Sequence, residues 1–423
     1  MLTKTTTIEY FFYLGILTVS FDIFLVFNIG ANFRISQILF LFAIIILSVH
    51  LLFKGKIIYP VGFSALLLWS VFILAFIPNT VFLSRSIQYG LWLLFNVVVI
   101  IAVVNYFNSE DKVQKLIKVY LYSFLFVALF GLLQFFLPLL NIQPPLVAQW
   151  WVPGSLARIN GFSYEPSYYA TYMIIGWVLS LHLLQSQSVF IPKNRLKTIF
   201  LIISVSLVLS SSRMGILVMM LMLGFYGILS FRKVLKGKLN KHSAKIFMIS
   251  LVIVTAFLTL FILNYDSVSF LLSGTGVGET ATYSKDSRLN TVHDVLQIFL
   301  NSPIIGCSLG GIAPAVGELR GISVTTWEIA KQNEGMMVFL EVLAASGIIG
   351  FIFFIRYIFV LFIKPIRLLK KLDIKKRQIM VALILSFLAE VIILQFNQTI
   401  LRPYFWLHIA ILSAYYNVAK RSH

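Results

Sequence analysis

The chain is a succession of apolar runs, and that succession limits the possible folds more than any motif does. The runs cover roughly residues 10–29, 35–53, 57–77, 87–106, 117–141, 166–185, 196–212, 214–230, 246–264, 336–363, 379–398 and 403–419. As helices rising about 1.5 Å per residue, each is long enough or nearly so to span a bilayer. The expectation is an all-α polytopic membrane protein, one integral-membrane domain over 1–423 with about 12 transmembrane helices. An even number of spans puts both termini on the same side.

Composition agrees, with 59% hydrophobic residues, 12% charged and a mean hydropathy of +0.93. The net charge of +19 would suit nucleic acid, but its distribution argues against that partner. The basic residues sit in short runs between apolar segments, where they set topology. With a cytoplasmic N-terminus, the inner segments hold 24 of the 34 basic residues, among them six between 232 and 245 and seven between 364 and 377. The positive-inside rule is then met by a wide margin. The single Cys307 excludes an internal disulfide and every multi-cysteine metal site. Lys4 and Glu9 precede a long apolar stretch with no small-residue cleavage site, so the first helix is expected to stay as an anchor.

The basic residues left outside are Arg34, Arg85, Arg158, Arg213, Lys285, Arg288, Arg320, Lys331 and Arg402, and Arg356 falls inside a span. Seven of these nine outer residues are arginines, whereas 19 of the 24 inner ones are lysines. Lysine is enough to orient a helix; the planar fork of arginine binds phosphate or carboxylate bidentately. For Arg34 and Arg85 a solvated or headgroup-anchoring role is the simpler reading. Arg213 differs, because it follows Ser210, Ser211 and Ser212 and starts a helix that Ser211 or Ser212 can cap. Arg288 follows Asp286 and Ser287 and opens an amphipathic stretch with Leu289, Val292, Leu296 and Phe299 on one face. A cation at a helix N-terminus opposes the macrodipole unless an anionic ligand sits between them, so two such placements on one face suggest a site for a strongly anionic group.

The outer loop 142–165 ends in R-I-N-G-F-S-Y-E-P-S, from Arg158. Asn160-Gly161 favours a tight turn, and Pro166 suits the first position of a membrane helix. Arg158 and Glu165 thus flank a short reversal at the membrane surface. Glu165 fits two roles, a carboxylate favouring the positive helix N-terminus or a group that moves a proton. Trp150, Trp151, Tyr164, Tyr168 and Tyr169 can stack on sugar faces or form an interfacial aromatic belt.

The largest outer loop, about 265–335, is expected to carry short amphipathic helices. Its S-G-T-G-V-G at 273–278 neither follows a strand nor precedes a Lys-Ser/Thr, so a phosphate loop has little support. Its acids Glu279, Asp286, Asp294, Glu318, Glu328 and Glu334 show no recurring ligand spacing, and no divalent metal is expected. His293, near Arg288, is a candidate base. In the tenth run Ser346, Gly347 and Gly350 suit close helix packing, and Glu341 lies near enough to the loop to face water.

Together R-I-N-G-F-S-Y-E-P-S, S-S-S-R-M-G at 210–215, S-R-L-N-T-V-H-D-V-L-Q-I-F-L-N-S-P-I-I-G-C-S-L-G-G at 287–311 and L-E-V-L-A-A-S-G-I-I-G-F at 340–351 resemble the bacterial O-antigen polymerase/ligase superfamily. The likeness spans roughly 150–355. It implies a GT-C-type glycosyltransferase of the plasma (inner) membrane that uses undecaprenyl-diphosphate-linked oligosaccharide, needs no cofactor, and places Arg158, Glu165, Arg213 and Arg288 on the family's functional positions. Arg402, Arg320, Tyr164, Tyr168, Tyr169, Asn160 and Gly161 are the accompanying substrate-binding candidates, and a chain-length regulator and a flippase are the expected partners. Ligases of this superfamily typically carry a His-Asn pair where this chain has Gln332-Asn333, which favours a polymerase. A lipid-linked oligosaccharide flippase or other transporter is the alternative from a different class, and Asp22 and Glu390 within apolar runs are the features that favour it.

Overall fold

A computed structural model describes residues 7–28, 32–54, 56–78, 80, 82–186, 190–235, 279–326, 329–330, 333–335, 337–397 and 400–422. Among them the chain forms helices α1 (Thr7–Leu17), α2 (Ile35–Lys54), α3 (Phe63–Ala75), α4 (Leu83–Tyr106), α5 (Glu110–Phe136), α6 (Pro166–Gln185) and α7 (Lys193–Leu209). These are followed by α8 (Arg213–Leu235), α9 (Glu279–Asn301), α10 (Ile312–Leu319), α11 (Val338–Leu368), α12 (Ile374–Ile393) and α13 (Pro403–Arg421). Two antiparallel hairpins interrupt them, β1 (Val26–Asn28) with β2 (Asn32–Arg34) and β3 (Trp150–Val152) with β4 (Leu156–Ala157).

Four stretches among the described residues are long and apolar enough to cross a membrane: Leu83–Tyr106, Glu110–Leu140, Val338–Leu368 and Ile374–Phe396. Four more apolar helices are shorter, so the fold is a mostly helical membrane bundle in which the expected count of about 12 spans is met only in part. The run at 246–264 lies outside the described residues. The run at 10–29 is not one helix. α1 ends at Leu17, and Asp22 beyond it is buried against arginines, which pulls the chain into the β1–β2 hairpin. An acid that finds its counter-charge in another segment ends an apolar run.

The centre of the bundle is α6, α12 and α13, with α6 packed along α12 and α13 along α4. Every residue of α13 from Pro403 to Ser413 is buried, as expected of a helix apolar on all faces. The bundle has two chemically different ends. At the lysine-rich end Lys376 pairs with Glu110 (3.1 Å), Tyr415 Oη donates to the Lys376 carbonyl (3.0 Å), and Asn105 bonds the backbone of Ile58 (2.8 and 2.9 Å). Among the described residues, the other end gathers 22–28, 32–34, 146–165, 302–326, 333–335, 394–397 and 400–402 around the arginines.

α11 is broken rather than simply packed at its small residues. Gly347 takes a left-handed backbone (φ 59°), and the carbonyls freed at Ala344 and Ala345 accept from the N–H groups of Cys307 (3.1 Å) and Ser308 (2.8 Å). In return Ile348 N–H donates to the Pro303 carbonyl (2.8 Å), so the Pro/Gly-rich bend at 301–311 plugs the break. A Cβ at 347 would lie 2.3 Å from the Ile304 carbonyl carbon. Gly347→Ala is therefore expected to lower stability by about 1–3 kcal/mol, read as a drop in the melting temperature of purified protein in nanodiscs. An unchanged melting temperature would show that the bend does not depend on this conformation.

Candidate functional site

Loop 142–165 is shaped from within by two amides. Asn160, fully buried, accepts from Ala148 N–H (3.1 Å) and donates to the carbonyls of Leu146 (2.9 Å) and Ser163 (2.7 Å). Gln134 of α5 donates to the carbonyls of Pro145, Leu146 and Gly161 and accepts from Gly161 N–H (2.8 Å). These bonds satisfy backbone groups that would otherwise be buried unpaired. Gly161 (φ 56°) lies against Tyr169, whose ring would be 2.8 Å from a Cβ there. Asn160, Gly161 and Tyr169 are thus placed beneath the loop surface, as its support.

The geometry around Arg158 joins two segments far apart in sequence. Its Nη1 donates to Gln149 Oε1 (2.7 Å) and its Nη2 to the Ser211 carbonyl (3.2 Å). Ser211 belongs to the turn that starts α8, where Ser212 Oγ accepts from Gly215 N–H (3.4 Å) as the expected cap and Arg213 is the first helical residue. Burial pushes the Arg158 guanidinium below its ordinary pKa, opposed by the Glu165 carboxylate. Glu165 is the N-cap residue of α6, but its side chain makes no capping hydrogen bond. It is half-buried and faces the charge of Arg158.

Beside this wall lies a second cationic group. Asp22 accepts from Arg402 Nη1 (2.7 Å) and Arg34 Nε (2.8 Å), and the N–H groups of Asp22 and Ile23 both donate to the Phe162 carbonyl (2.9 and 3.1 Å). Arg402 also lies 3.8 Å over the ring of Tyr168, a cation–π contact. Burial opposes the charge of Arg402, but Asp22 and the surrounding tyrosines outweigh it and raise its pKa. Arg34 is therefore an ion-pair partner and not a headgroup anchor, and Asp22 is a clamp at the arginine-bearing end. Tyr164 is half-buried beside this group.

Arg85 also departs from the anchor reading, because its side chain is fully buried. It pairs with Glu334, donates to the Gly310 carbonyl (2.7 Å) and to Tyr89 Oη (2.7 Å), and Tyr89 Oη donates in turn to Glu334 (3.0 Å). Glu341 is 5% exposed and so does not face water as expected. It shares the lining of one small cavity with Tyr89, Glu334 and Ile400, and lies within electrostatic reach of Tyr168. A larger cleft beyond α10 is lined by Phe82, Glu318 and residues 321–325 and carries no cation.

α9 begins at Glu279, nine residues before the expected start, so Arg288 is inside the helix and not at its N-terminus. The macrodipole argument for Arg288 therefore fails, and its side chain lies outside the described residues. The buried face is also rotated from the expected one, with Thr291, Val295 and Ile298 inward and Leu296 exposed. Arg320 holds α9 in place by donating to Asp294 (2.8 Å), Thr291 (3.1 Å) and Asn333 (3.4 Å). His293 is exposed on α9 next to Asp294.

The structure therefore brings Arg158, Glu165, the turn before Arg213, Tyr168 and Arg402 to one rim, while Arg320, just after α10, braces α9, on which His293 is exposed. Sequence reasoning placed Arg85 and Glu334 outside but not as a buried pair, left Asp22 within an apolar run, and did not single out Tyr89. A signal was present: acids in or beside apolar runs need partners, and outer arginines are the available ones.

No curated protein matches the chain. Residues 198–355, from α7 through the break in α11, match the family model described as O-antigen ligase. Over that segment, more than a third of the chain, the sequence is similar to the O-antigen polymerase/ligase superfamily.

Proposed function

We propose that the protein is a polysaccharide polymerase of the O-antigen, capsule or exopolysaccharide type. It transfers a growing glycan from undecaprenyl diphosphate onto the next lipid-linked repeat unit, at the outer face of the bacterial plasma membrane. The observation that carries this reading is Arg158 bridging loop 142–165 to the turn that opens α8 at Arg213, within a chain whose α7–α11 segment matches the family. On this reading the Arg158 guanidinium, the positive end of α8 and Arg213 at its first position supply the counter-charge that a leaving diphosphate needs.

In the reaction the acceptor hydroxyl oxygen attacks C1 of the donor's reducing-end sugar, the C1–O bond to phosphate breaks, and the lipid diphosphate leaves with the electron pair. The acceptor's proton goes to a base. Glu165, uncapped and beside Arg158, is the group we assign to it, and His293 on α9 is the competitor. Glu165→Gln is expected to slow extension by about 10²-fold or more, while His293→Ala retains most activity. The reverse pattern would assign the base to His293. The arginines take the counter-ion role, so extension is expected to continue in chelator; restoration by magnesium of activity lost to chelator would overturn this.

The reading is tested by incubating purified protein with a single lipid-linked repeat unit and separating the products on a gel. A ladder supports polymerisation, transfer only to a second acceptor supports a ligase, and no covalent change favours transport. Against transport stands the pairing of the two acids that had favoured it: Asp22 is bound to two arginines, and Glu390 to His408 (2.7 Å).

A further inference from the structure

Beyond the break at Gly347, residues 348–368 of α11 form a continuous membrane-length helix, and Arg356 lies near its middle. The bend at 301–311 aligns this helix with α4, because Gly310 touches the backbone of Ser86 while Gly306 touches that of Ala345. At 1.5 Å per residue, Arg356 is about 12 Å from residue 348 and about 18 Å from residue 368. Its side chain is exposed and has no ion pair or hydrogen bond among the described residues. An arginine there is costly unless an anion meets it. Snorkelling does not relieve the cost, since a single side chain is shorter than the distance to either surface, and helical side chains tilt toward the helix N-terminus, away from the lysine-rich end.

The residues around Arg356 form a seam. Ile349 (39% exposed), Ile352 (56%), Arg356, Phe359 (62%) and Ile366 (45%) repeat at spacings of three and four, with Ile363 completing the row. This is the pattern by which one helix receives another, and a single polar residue in such a seam sets register and partner. The described residues offer no match. Among the described residues, Glu9, Asp22, Glu341 and Glu390 are buried, and Glu110, Asp111 and Asp373 lie at the lysine-rich end. The ninth apolar run, 246–264, contains no acidic residue. A second copy of the chain therefore presents no complementary charge on a described lipid-facing surface.

We infer that this face of α11 is a docking seam for a transmembrane helix of a different membrane protein, one that carries a single aspartate or glutamate near the bilayer midplane. The carboxylate pairs with Arg356 while the isoleucines and Phe359 pack against the partner's apolar face. Charge complementarity selects the partner, and the three-and-four spacing sets how it lies. This docking is independent of which glycosyl acceptor the enzyme uses.

The test uses the full-length protein in phosphatidylcholine vesicles, with energy transfer to a fluorescent polyleucine transmembrane peptide bearing one central Glu, compared with the same peptide bearing Gln. The Glu peptide is expected to bind about tenfold more tightly. Arg356→Leu should abolish that difference and Arg356→Lys should retain most of it. Equal binding of the two peptides, or a preference that survives in Arg356→Leu, would overturn the proposal. So would displacement of the Glu peptide by phosphatidylglycerol, which would make lipid phosphate the natural partner, or a homodimer cross-linked through Ile352→Cys, which would make it a second copy.

Discussion

Arg158→Lys is expected to slow chain extension by about 10²–10³-fold, the range seen when one preorganised donor to a developing anion is lost. The substitution keeps the charge and removes the fork. One arm of that fork holds Gln149 in loop 142–165 and the other holds the Ser211 carbonyl before Arg213. Lysine presents a point charge that cannot brace both segments in one plane. Arg158 Nε is buried and makes no hydrogen bond among the described residues. Extension rates on a lipid-linked repeat check this, with insertion and melting temperature as controls. A rate near that of the unaltered protein would return Arg158 to a purely structural role.

Asp22→Asn is expected to lower stability by about 3–5 kcal/mol, the cost of leaving a buried charge without its partner. Asp22 is 3% exposed and accepts from both Arg402 and Arg34. Its amide replacement leaves Arg402, 5% exposed, beside only tyrosines. The double variant Asp22→Asn with Arg402→Gln should recover part of the loss, since the orphaned cation is then gone. Melting of the purified proteins in nanodiscs reads both effects. If the single variant melts like the unaltered chain, the pair is solvated and the clamp does not hold the hairpin to the loop.

The helical membrane class was legible because apolar length is a strong signal, and Asn160-Gly161, the Ser212 cap and Arg213 were legible because turns and caps are local chemistry. The split at 10–29 was not, because Asp22 finds its partners at Arg34 and Arg402, the latter at the far end of the chain. Arg85 was misread for the same reason: its partner Glu334 lies in the large loop, and no local pattern announces such a pair. The early start of α9 was missed because the expected face was drawn through Leu289, Val292, Leu296 and Phe299, while packing against α11 turned Thr291, Val295 and Ile298 inward. Gly347 was counted as a packing residue, and only the bend at 301–311, closing onto it from a distant segment, explains its left-handed backbone.

The account rests on transfer from a lipid diphosphate held at the arginine-bearing end. The most direct measurement counts undecaprenyl diphosphate released per repeat added, by chromatography of the lipid products from purified protein given a radiolabelled lipid-linked repeat. One diphosphate lipid freed per glycosidic bond, with both signals falling together in Arg158→Lys, is the predicted result. Chain growth without release of the lipid diphosphate, or passage of the intact lipid-linked repeat across the bilayer with neither signal, would contradict it.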